Sequence, residues 1–189
     1  MILARQATWL RERKVCIAMS VESRMKALLG SLDYDFSQFT MDGFIEWVQT
    51  YIGRQIRFIP WEMPPGMFGV WMSDAEQPVE HVFIDKSAAP LHKVHIQLHE
   101  LSHILCNHPT MRLTRADMQT LLVASMEQPA VLSEALLRAP AKEEMEAEAE
   151  MLAALIQHQA IACKRLQQLS IAASSHQSVN DHLESLGLA

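Results

Sequence analysis

The chain has 189 residues, 49% apolar and 20% charged, enough for one domain with a sizeable core, or a domain with extensions. Its formal charge of −6 and pI of about 5.8 argue against a broad nucleic-acid-binding surface. No run of about 18 apolar residues occurs, so no membrane span is expected. The N-terminus lacks the apolar segment of a secretory leader. Three cysteines, Cys16, Cys106 and Cys163, include no Cys-x-x-Cys pair, which suggests reduced thiols and a cytoplasmic protein.

In chain order, residues 2–30 read as helical. Ser20 is placed to cap a helix running to about Leu29. Residues 31–40 are loop-like. Asp42 precedes an amphipathic helix carrying Phe44, Ile45, Val48 and Ile52, and Gly53 ends it. Three short strands follow, at 56–60, 68–72 and 81–84. Pro60, Pro64, Pro65 and Gly66 make a rigid turn after the first, and a polar loop at 73–80 joins the other two.

Residues 90–106 form the next predicted helix, with an apolar stripe at Leu91, Val94, Leu98, Leu101 and Leu105. Ile96 and Ile104 fall on its other sides, which marks a buried helix. Ser87 is placed to cap it, Pro90 suits its first turn, and Pro109 lies beyond its end. Residues 107–141 hold two weak helical patterns, at 121–126 and 131–137, and read as a helical insertion or lid rich in methionine. Residues 142–168 read as one long helix, and 169–189 as a loosely held tail. The expected organisation is an N-terminal helical extension (1–40), a main domain (41–168) with the insertion 107–141, and the tail.

The chemistry is concentrated at 99–103, which reads His99-Glu100-Leu101-Ser102-His103. Residues four apart stack on one helix face, so both imidazoles reach one ion. Glu100 stands beside them to hold water. His-Glu-x-x-His at this spacing is the zinc-peptidase signature. Two histidines leave tetrahedral zinc one protein ligand short, with one position open for water.

The run Glu143-Glu144-Met145-Glu146-Ala147-Glu148-Ala149-Glu150 supplies candidates for that third ligand. Most of its acids suit a solvated helix N-terminus. The stripe Met145, Ala149, Leu152 and Ile156 draws Glu148 toward the inward face, while Glu146 and Glu150 point elsewhere. A carboxylate on a buried face needs a cation or strong hydrogen bonds. Glu148 is therefore the expected third ligand, with Glu144 next. Cys106, three residues past His103, reads as a small buried apolar residue. With this ligand set Glu100 is the expected catalytic base. His81, His95, His108, Tyr34 and Tyr51 are the candidate donors to the oxyanion.

The segments Phe83-Ile84-Asp85, 95–105 around the motif, and Glu146-Ala147-Glu148-Ala149-Glu150-Met151-Leu152-Ala153-Ala154-Leu155-Ile156 resemble the ImmA/IrrE family of metallo-endopeptidases. The resemblance covers roughly 42–157. Glu150 and Leu152 stand where the family usually has Asn and Phe. It implies an α+β, zincin-like fold, mostly helical, with a small antiparallel or mixed three-stranded sheet before the active-site helix. It implies zinc held by His99, His103 and Glu148, with Glu100 as base. It further implies an endopeptidase acting on one regulatory protein, such as a helix-turn-helix repressor or an antitoxin, without direct nucleic-acid binding. The alternative is a zinc-binding regulatory or interaction protein of the same fold with little or no peptidase activity.

Overall fold

The computed structural model describes residues 19–128 and 143–185. Those residues form an α+β structure of five α-helices, one 3-10 turn and a four-stranded mixed sheet. The helices are α1 (Val21–Ser31), α2 (Met41–Ile52), α3 (Pro90–Leu105), α4 (Arg115–Glu127) and α5 (Glu143–Ser185). The strands are β1 (Gln55–Trp61), β2 (Gly69–Asp74), β3 (Val79–Asp85) and β4 (Arg112–Leu113).

Local chemistry sets the helix ends. Ser20 caps α1, its hydroxyl accepting from Ser23 N at 3.2 Å. Thr40 caps α2 by accepting from Gly43 N at 3.1 Å. Gly53 ends α2 with φ 69°, a left-handed cap that suits glycine. At α3 the expected cap is corrected. Ala89 occupies the cap position and makes no side-chain hydrogen bond. Ser87 is engaged one turn earlier, where its N–H and hydroxyl both donate to Asp85 Oδ1. Pro90 does sit in the first turn.

The sheet order is β1-β3-β2-β4, with β1 parallel to β3, β2 antiparallel to β3, and β4 parallel to β2. The expectation of three strands misses β4, because two residues are too short to show any alternation. The hairpin is also tighter than the expected 73–80 loop. Both strands extend into it, and Asp74 Oδ1 accepts from the N–H groups of Glu76 and Gln77.

Period-two alternation gives the sheet two apolar faces. Ile56, Phe58, Trp71, Val82 and Ile84 face the main core, which is shared with Met25 and Leu28 of α1, Phe44 and Val48 of α2, Leu98 and Leu101 of α3, and Leu152 and Ile156 of α5. Ile59, Trp61, Val70, Met72 and Phe83 face the other side, where Met118, Leu121 and Leu122 of α4 cover them. Residues 21–40 therefore share the main core, and α4 packs on the opposite sheet face. The patterns at 131–137 and at residues 2–18 lie outside the described residues. No described helix is long and apolar enough to cross a membrane.

One buried polar knot ties the strands together. Glu80 accepts from Arg54 Nε, from Trp71 Nε1 at 2.6 Å and from Ser73 Oγ at 3.2 Å. Arg54 Nη2 also donates to the carbonyls of Asp74, Gln77 and Val79, each at 3.1 Å. A buried carboxylate is tolerable because these donors replace its water.

Candidate metal centre

Helix α3 buries Ile96, Leu98, Leu101, Ile104 and Leu105, and leaves Leu91 exposed to solvent. That rotation presents His95, His99 and His103 along one line toward α5. Glu146 and Glu150 of α5 answer at the same four-residue spacing. Glu150 Oε2 lies 3.3 Å from both His95 Nε2 and His99 Nδ1. Glu146 Oε2 lies 3.3 Å from His99 Nε2 and 3.5 Å from His103 Nε2. The earlier histidines meet the later acid, so the two helices cross in opposite senses.

The carboxylate that the structure brings to the two motif histidines is Glu146, and not the expected Glu148. Glu148 turns to the other flank of α5. There it accepts from Arg24 Nε at 2.9 Å and Nη2 at 2.7 Å, and from His108 Nε2 at 3.0 Å. Glu144 joins Arg24 on the same flank, at 2.6 Å. Glu146 lies off the apolar stripe, yet a residue facing a cleft needs only the edge of that stripe.

His99 Nε2, His103 Nε2 and a Glu146 oxygen form a group able to hold a metal ion. Two ligands on a tetrahedral zinc, each about 2.0–2.1 Å from it, stand about 3.3 Å apart. The three separations here are 3.0, 3.3 and 3.5 Å, so the donor set has the size and the N, N, O chemistry that zinc takes. The ring nitrogens that face away from this point are engaged as well. His99 Nδ1 meets Glu150, and His103 Nδ1 lies 2.8 Å from His108 Nδ1. Such outer contacts orient ligand imidazoles.

The group opens on a cavity of about 200 Å³ whose walls include Met67, Gly69, Val70, Trp71, Glu100, Met111 and Met145. Glu100 lines it beside the histidines and is buried. Burial pushes its carboxyl up to about 7, against the opposing pull of His103 and His99. Burial alone would lower the His99 imidazole, but its hydrogen bond to Glu146 and the charges of Glu100 and Glu146 outweigh it and raise it. Hydrogen bonds accepted from His103 and His99 hold Glu146 well below the usual carboxylate range. Burial would raise Glu148, but His108 and Arg24 lower it on balance.

The remaining expected residues are spread out. Among the proposed donors, His108 reaches the cavity. His95 pairs with Glu150, and His81 lies 3.7 Å from Asp74. Tyr34 packs edge-on to Phe36 and Phe44, and Tyr51 stacks on Trp47. Cys106 is buried, its Sγ 3.7 Å from Met25 Sδ. Within the expected insertion, Pro109, Thr110 and Met111 border the cavity, whereas α4 packs on the sheet.

Comparison of the chain with protein-family models, curated proteins and solved structures gives no match.

Proposed function

We propose that the chain is a zinc-dependent endopeptidase of zincin-like fold, with His99, His103 and Glu146 as metal ligands and Glu100 as general base. One observation carries the reading: two imidazole Nε2 atoms and a carboxylate oxygen converge within 4.8 Å of one another, on a cavity that the buried Glu100 also lines. A closed structural site would have no use for that carboxylate or that opening.

Bound zinc would acidify a water and polarise the scissile carbonyl. Glu100 takes the proton of the attacking water and returns it to the leaving amine. Burial makes the Glu100 carboxylate a stronger base than an exposed one. Glu150 and His108 keep the two imidazoles turned so that Nε2 faces the ion.

The strand edge supports a peptide substrate. Ser73 N and Ala75 N donate to Met111 O and Leu113 O, so alternate residues of β2 present their backbone to this side. β4 pairs only at Ser73 and Asp74. Gly69 and Trp71 present the same edge along the cavity, where an extended peptide can lie beside it. Thr110 Oγ1 already donates to Trp71 O at 2.6 Å. The resemblance to the ImmA/IrrE family supports a single regulatory protein as substrate, such as a helix-turn-helix repressor or antitoxin.

The test is substrate trapping. Glu100→Gln keeps the shape and removes the base, so it should retain zinc, hold the cognate protein and leave it uncut, while the wild type cuts it. A wild type that binds that partner and never cleaves it contradicts the enzyme reading.

A further inference from the structure

We propose that Arg24, Glu148 and His108 form a positioning chain that fixes the tautomer of His103 and aims its Nε2 at the metal. The proposal rests on the reading of His99, His103 and Glu146 as metal ligands. It gives Glu148 a role one step behind them, and draws α1, far away in sequence, into the site.

A carboxylate can only accept, so the 3.0 Å contact from His108 Nε2 to Glu148 Oε2 places a hydrogen on that nitrogen. Arg24 contributes two further donors to Glu148 Oε1, at 2.9 and 2.7 Å, which fixes the carboxylate on α5. The 2.8 Å contact between His108 Nδ1 and His103 Nδ1 holds a single hydrogen. With Nε2 of His108 already protonated, the neutral ring offers Nδ1 as an acceptor. The shared hydrogen then belongs to His103 Nδ1, so a neutral His103 has Nε2 as the nitrogen that would turn a lone pair to a bound metal in place of donating to Glu146. That atom is the one facing His99 Nε2 at 3.0 Å and Glu146 Oε2 at 3.5 Å.

The arrangement parallels the other histidine, where Glu150 meets His99 Nδ1 directly at 3.3 Å. His103 lies too far along α3 for Glu150, and an inserted imidazole bridges the gap. His108 reaches back because the chain reverses just after α3, with Asn107 at φ 53°. The His108 side chain is 1% exposed and that of Glu148 11%, so water competes little for these bonds. A plain ion pair tying α1 to α5 would need Arg24 and Glu148 alone, and would leave His108 unexplained.

The experiment measures zinc affinity by chelator competition on the full chain, with circular dichroism to verify folding. Outer-sphere partners of metal histidines are worth about ten- to a hundredfold in affinity. His108→Ala and Glu148→Ala should each weaken zinc by about that much. Glu148→Gln should stay within about threefold of wild type, because its amide oxygen still accepts from His108 and amides are poor zinc ligands. Unchanged affinity in folded His108→Ala overturns the chain. Equal loss in Glu148→Gln and Glu148→Ala, with zinc retained by Glu146→Ala, overturns it by making Glu148 a direct ligand. A wild type that binds zinc no better than His99→Ala removes the metal reading itself, and the proposal with it. A measurement on the unmutated zinc-loaded protein covers variants that fail to fold. Imidazole 1H–15N correlation spectra should show His103 protonated at Nδ1 and His108 at Nε2, and a His108 protonated at Nδ1 overturns the assignment.

Discussion

Gly69 lies flat against Glu100: a Cβ built on Gly69 would stand 2.6 Å from Glu100 Oε1 and 2.6 Å from Ile96 Cγ2. The requirement is steric, since the backbone of β2 must touch the helix that carries Glu100. Gly69→Ala must push the Glu100 carboxylate or part β2 from α3. Overpacking of this kind costs about 1–3 kcal/mol. Thermal unfolding should show that loss, together with a fall in the proposed peptidase activity of tenfold or so. Full activity in Gly69→Ala would show that the carboxylate position is slack.

The buried Glu100 carboxyl should also make itself felt as a stability cost in the metal-free protein. It ionises at 4.5 in the unfolded reference and at about 7 in the fold. Between those values the folded form keeps a proton that the unfolded form has lost, so stability falls as pH rises through the window. The full cost is on the order of 3 kcal/mol. In chelator, Glu100→Gln should therefore unfold at a higher temperature than wild type at pH 8, and the gap should close towards pH 4.5. A gap that does not change with pH would locate the effect elsewhere.

The Glu80 knot should behave as a unit. Glu80 gathers donors from Arg54, Trp71 and Ser73. Removing one partner of a buried pair leaves the other charge unpaired, at about 3–5 kcal/mol. Glu80→Ala should lose that much in denaturant unfolding. It should also loosen Trp71 at the cavity wall, seen as a red shift of tryptophan emission. A loss below about 1 kcal/mol would mean that Arg54 finds water instead.

Apolar walls predict an apolar preference. Met67, Val70, Met111 and Met145 border the cavity, and methionine adapts to varied apolar partners. In a peptide library the wild type should favour a medium-sized aliphatic or aromatic side chain beside the cleaved bond over a charged one. Met145→Lys, which places a cation at that wall, should reduce or reverse the preference for apolar over acidic residues. An unchanged preference would place the specificity elsewhere on the substrate.

Some of this was legible in the sequence, and the physics explains which parts. The start of α1 and the end of α2 were readable because Ser20 and Gly53 act locally, whereas α2 begins at Met41 with Thr40 as its cap and takes in Asp42, which was expected to precede it. The motif helix was readable because apolar spacing and Pro90 agree. The position of Glu146 beside the motif histidines was not. At about 100° per residue, Glu148 and Glu146 flank the Met145, Ala149, Leu152, Ile156 face at nearly equal angles on opposite sides. The stripe says which side of α5 is buried, but not which flank meets α3. A second pattern did carry that information. His95, His99 and His103 repeat every four residues, and so do Glu146 and Glu150, as two facing ladders must. Arg24 was out of reach, since nothing local links it to an acid 124 residues away.

The most direct test of the account is a zinc titration of the metal-free wild type beside Glu146→Ala, His99→Ala and Glu148→Gln. The account predicts one tightly bound zinc in the wild type and in Glu148→Gln. It predicts affinity lowered by roughly a hundredfold or more in Glu146→Ala and His99→Ala, since each removes a ligand. Zinc bound as tightly by Glu146→Ala as by the wild type would contradict it.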